Sequence, residues 1–223
     1  LIEELQTMRK LLGLAAAIVF SAGAALAQSS DLNARVETLA HSWDHVNYET
    51  RGPAKVEQAA ALAAQADAAA RQYPGHAEPL VWKAIALSTE AGAKGGLGGL
   101  ALAKEARATL EQAERINPNA LGDGSVYTSL GSLYYQVPGF PLGFGDKGKA
   151  QTYLRKALAA NPTGLDANYF YGDFLMRQGQ HAEAQRALEK AMAAPARPGR
   201  EIADRGRKAE VSALLAQMRN KRG

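Results

Sequence analysis

Ala150, Leu154 and Ala157 recur as Ala184, Leu188 and Ala191, an offset of 34 residues in each case. Within each set the spacing i, i+4, i+7 aligns three apolar side chains on one face of a helix. Ahead of each set lies a second apolar, helix-periodic stretch with a glycine at its centre, Gly131 in one and Gly172 in the other. A residue without a side chain is what two closely crossing helices need. Gly179 opens a short turn in the second copy, and Pro162 closes the first. One such pair of helices cannot bury its apolar stripe alone, so successive pairs must stack on one another.

Helical hairpins at this period are the signature of the tetratricopeptide repeat. The expected fold class is therefore all-α, a tetratricopeptide-like α-solenoid of about four hairpins. The repeats fall at approximately 31–76, 78–120, 124–164 and 165–196, followed by a capping helix over 201–218. Trp82, Ile85 and Ala86 take the helix A positions of the second repeat, and Ala106, Leu110 and Ala113 take those of helix B. Two connections between helices look oversized, the glycine-rich stretch 92–99 and the Pro- and Phe-containing stretch 137–146. Insertions in a solenoid gather on one edge, so both are expected to lie side by side. Asp146 is placed to cap the helix that follows it.

The N-terminal 27 residues read as a targeting segment. Met8-Arg9-Lys10 is a short cationic start, Leu11 to Ala24 is an apolar run, and Ala25-Leu26-Ala27 has the small-x-small form of a cleavage site. Residues 1–7 read as upstream translation. Cleavage after Ala27 predicts a soluble periplasmic chain with no stable membrane span. The sequence has no cysteine, which excludes both disulfides and a lipid-bearing cysteine. Residues 197–223 carry eight Lys/Arg against three Asp/Glu, so the overall charge of +4 is concentrated there. That segment is expected to be a solvated capping helix, and it gives no ground for a nucleic-acid partner.

Motifs for chemistry are weak. Gly143 to Ala150 approximates the phosphate-loop string, but Ala150 lacks the metal-binding hydroxyl and no strand precedes the loop. His41 and His45 stand one helical turn apart beside Asp44, the only candidate for metal, yet a catalytic zinc also needs a third ligand. No catalytic residues, enzyme activity or cofactor are expected. Aromatics carry more information, because ten of the fifteen Phe, Trp and Tyr residues fall between Tyr127 and Phe174. Tyr135, Phe140, Phe144, Tyr169, Phe170 and Phe174 exceed what two hairpins need for their cores. Either Phe140 and Phe144 fold back to plug the widened hairpin, or the loop joins Tyr169 and Phe170 as the wall of an apolar pocket.

Three strings are more specific than the repeat itself: 130–146 (LGSLYYQVPGFPLGFGD), 161–172 (NPTGLDANYFYG) and 194–200 (APARPGR). Together they resemble exported bacterial tetratricopeptide proteins related to the T-component of TRAP transporters. The resemblance implies a periplasmic helical protein that assembles with a substrate-binding protein and offers it an apolar channel or cavity. Its candidate residues here are Phe140, Phe144, Asp146, Tyr169 and Phe170. The expected function is a non-enzymatic adaptor that presents its concave face to a protein partner, with a T-component-like accessory of solute uptake, binding a small apolar ligand or a substrate-binding protein, as the alternative.

Overall fold

The computed structural model describes residues 28–220, so the targeting segment lies outside the described residues. The chain divides into two units, Leu1–Thr38 and Leu39–Gly223. The described part of the first, 28–38, is helical, with the Thr38 hydroxyl donating to the Ala34 carbonyl at 2.8 Å. That helix, α1, spans 28–48 and so continues into the second unit.

The second unit is built of helices: α2 (Pro53–Gln72), α3 (Glu78–Lys94), α4 (Gly96–Ile116), α5 (Ser125–Gln136), α6 (Lys147–Ala160), α7 (Leu165–Arg177), α8 (His181–Met192) and α9 (Glu201–Asn220). Proline in the first turn starts α2 and α3, where its missing N–H has no intrahelical partner to lose. No strand occurs among the described residues. Consecutive helices pack as hairpins, and α3, α5 and α7, the first helices of their hairpins, also pack on one another.

Each hairpin closes around the repeated residues. Ala150, Leu154, Ala157, Ala184, Leu188 and Ala191 are all completely buried. A Cβ on Gly131 would lie 2.7 Å from Leu154 Cγ, and one on Gly172 would lie 2.7 Å from Leu188 Cγ. Leucine from one helix thus occupies the space that glycine leaves in the other, twice in the same way.

Two expectations need correction. The stretch 92–99 is not a loop: α3 runs to Lys94 and α4 begins at Gly96. Gly95 and Gly96, with φ of 65° and 58°, reverse the chain between them, and a Cβ on Gly99 would lie 2.6 Å from the Ala91 carbonyl oxygen. The glycines make a tight corner between helices rather than a flexible insertion. Nor is α9 only a solvated cap on the last repeat. It packs on α7 and α8, and it also reaches α1, where a Cβ on Gly206 would lie 2.2 Å from the ring of Tyr48. The array closes on itself within residues 39–220.

Candidate functional site

Between the repeats and the C-terminal segment lies a half-open cavity of about 410 Å³. Its walls come from α1, α2, α3, α5 and α7 on the repeat side and from the segment leading into and through α9 on the other. Trp43, Trp82 and Ile85 line it, as do Tyr169 and Phe170 of α7 and the α5 hydroxyls of Ser125, Thr128, Ser129 and Ser132. On α5 these hydroxyls stand at i, i+3, i+4 and i+7, one face of the helix.

Three arginines of the C-terminal segment tie it to the repeat side of the cavity. Arg200 donates from Nε and Nη2 to the two carboxylate oxygens of buried Asp44, at 2.8 and 2.7 Å. Arg197 bridges Asp204 and Asp166, both at 2.7 Å. Arg207 donates to Asp166 at 2.7 Å and to Glu210 at 2.6 Å, and its guanidinium lies 4.3 Å from the Tyr169 ring centre and 4.7 Å from that of Phe170. Paired, fork-shaped contacts of this kind fix orientation as well as charge. Burial alone would raise the Asp166 carboxyl, but the Arg207 and Arg197 guanidiniums outweigh it and bring it to about 2. Burial pushes the Tyr169 phenol up to about 12. Burial also raises Asp123, in the same wall, above the usual carboxylate range, partly offset by hydrogen bonds from Ser125.

The candidates singled out in the sequence do not form one site. Tyr169 and Phe170 line the cavity. Tyr135 donates its hydroxyl to Asp173 at 2.7 Å and packs against Phe174, outside the cavity wall. Phe144 turns the other way, edge-on to Tyr134 with 5.8 Å between ring centres, and Arg107 covers it at 4.4 Å. Tyr134 in turn stacks on Tyr153, and Tyr153 meets Tyr127. Asp146 caps α6 by accepting the Lys149 N–H at 3.0 Å. Phe140 is 94% exposed at the tip of the loop, with Leu142 72% exposed beside it. The loop therefore half plugs its hairpin through Phe144 and presents Phe140 to solvent. It is not a wall of the cavity, so the expected pocket of loop plus Tyr169 and Phe170 is corrected. The loop leaves α5 after Gln136, the last α5 residue to line the cavity, and its Phe144 packs toward Tyr134 and Arg107 instead.

The loop is nonetheless firmly built. Asp146 N–H donates to the Tyr134 carbonyl at 2.8 Å and Gly145 N–H to that of Pro138 at 2.9 Å. A Cβ on Gly145 would lie 2.0 Å from the Val137 carbonyl oxygen, and one on Gly143 would lie 3.3 Å from Leu100 of α4. His45 is exposed and bound to Glu49 at 2.6 Å, while His41 lies against Gly199. Among the described residues no group of three metal-ligating side chains forms.

Sequence reasoning missed Asp44, Asp166, Arg197, Arg200 and Arg207. Their charge was visible, but ion pairs between residues 156 apart in sequence, as for Asp44 and Arg200, leave no local pattern.

Residues 142–218 match the tetratricopeptide repeat family model. The crystal structure of TTC0263, a thermophilic TPR protein from Thermus thermophilus, superposes with a TM-score of 0.54 at 18% identity, covering 71% of this chain and 75% of that one. The fold is a tetratricopeptide-repeat array. No curated protein sequence matches significantly. Tetratricopeptide arrays are interaction scaffolds as a fold class, with binding surfaces on their concave side. In this tetratricopeptide array the concave side is occupied by the chain's own C-terminal segment.

Proposed function

We propose that this chain is a non-enzymatic, exported tetratricopeptide adaptor that engages a protein partner through the 137–146 loop. The observation that carries this is the tip of that loop: Phe140 and Leu142 stand in solvent on a backbone fixed by its own hydrogen bonds. Large exposed apolar groups on a rigid support are the usual anchors of protein recognition. The closed concave face leaves little room for a protein segment, which moves the docking surface to this edge. The resemblance to T-components makes a periplasmic substrate-binding protein the kind of partner to seek. Affinity capture from a periplasmic extract, comparing wild type with Phe140→Ser/Leu142→Ser, tests the loop. A partner that is retained by both proteins would remove the loop from the interface. Export is tested by sequencing the N-terminus of the periplasmic form, which is expected to begin at Gln28.

The cavity favours a second reading, a carrier or solute-uptake accessory that holds a small ligand. Its volume lies within the range of small-molecule sites, about 300–1,000 Å³, and it is lined by elements from both ends of the array.

A further inference from the structure

We infer that the central cavity binds a small uncharged molecule carrying several hydroxyl or amide groups, of monosaccharide or disaccharide size. This rests on the carrier reading and specifies its ligand. What the wall can still bind depends on which of its groups are already engaged with one another.

Among the described residues of the wall, anions find no free guanidinium. Arg200 is held in a fork by Asp44, Arg197 lies between Asp166 and Asp204, and Arg207 lies between Asp166 and Glu210. An anionic ligand would have to pull a carboxylate away from its partner and leave a buried charge uncompensated. Lys55, the remaining cation in the wall, donates to the Asn47 carbonyl at 2.7 Å, and burial lowers its pKa.

Cations fare no better. Both oxygens of Asp166 and both of Asp44 are already taken by arginine. Asp123 accepts the Ser125 N–H at 2.9 Å, and burial raises its pKa. The arginines of the wall and their carboxylate partners already engage one another.

An apolar ligand fits part of the wall and wastes the rest. The Thr128 and Ser129 hydroxyls and the Asn47 side-chain amide line the cavity and make no side-chain hydrogen bond to any described residue. Sealing them under hydrocarbon strips their water and returns nothing. A neutral molecule with its own donors and acceptors satisfies them, while its C–H faces meet Trp43, Ile85 and Phe170.

The two tryptophans of the chain both line this cavity, so intrinsic fluorescence reports its occupancy. The full chain is titrated with glucose, galactose, maltose and trehalose, and separately with citrate, putrescine and the neutral apolar probe N-phenyl-1-naphthylamine. A saturable response to at least one sugar is expected, with none to the other three probes. Ser129→Val and Thr128→Val, each checked for native helicity, are expected to weaken that sugar by about three- to tenfold, the loss of one hydrogen bond. Saturation by citrate, putrescine or the apolar probe without any sugar response would overturn the ligand class and leave the carrier reading standing. No saturable response to any probe would overturn both. Sugar binding that both variants leave unchanged would place it outside the cavity and end the proposal.

Discussion

The hairpins α5–α6 and α7–α8 are two solutions to one packing problem, and they differ in a single respect. Their second helices are offset by 34 residues, as Leu154 and Leu188 show, whereas their first helices are offset by 41, as Gly131 and Gly172 show. The difference of seven is the difference between connections: ten residues, 137–146, in one hairpin and three, 178–180, in the other. Helix-on-helix contact is indifferent to it, since a Cβ added to the glycine would lie the same 2.7 Å from leucine Cγ in both. What the longer connection adds is outside the core: a side-chain cap on α6, a ring for the tyrosine ladder and an exposed tip. Interior and rim are therefore separable, and they can be varied independently.

The sharpest way to break this equivalence is at the leucines. Leu154→Ala and Leu188→Ala should each cost about 2–5 kcal/mol in urea denaturation, and by similar amounts. A difference between them larger than that whole range would show that the connection reaches the core. Gly131→Ala and Gly172→Ala come next, at about 1–3 kcal/mol each, because the new methyl overlaps leucine rather than solvent. The caps should separate the hairpins. Asp146→Ala loses a hydrogen bond to the α6 N-terminus and should cost about 1 kcal/mol, while Gln180→Ala, whose side chain makes no cap to α8, should stay within about 0.5 kcal/mol. Phe140→Ser should be smallest, within about 0.5 kcal/mol, since the ring is 94% exposed; a larger loss in the same denaturation series would make the tip part of the fold rather than a surface for a partner.

The repeats were readable because their determinants are local and periodic. Gly131, Leu154, Gly172 and Leu188 announce helix crossings by type and spacing alone, and Asp146 announces a cap. Glycine misled at 92–99, where its density suggests a loop. The structure uses Gly95 and Gly96 to turn and Gly99 to let one helix touch the next. The aromatic residues were visible as an excess, but not their division. Tyr169 and Phe170 line the cavity and Phe144 meets the ladder, because they sit on different elements, α7 and the α5–α6 connection. The closure was the least legible part. Arg200 looks like any charged residue until the chain brings Asp44 to it.

A stack of repeats held only by nearest neighbours frays from whichever end is weaker, and each unit melts on its own terms. Here the Asp44–Arg200 fork ties two points 156 residues apart, and Tyr48 lies on Gly206 just beyond it. That tie joins the fates of residues 39–48 and α9: neither can peel away while the other stays seated. The cost is kinetic, since so distant a contact forms late, after the chain has paid the entropy of closing its longest loop.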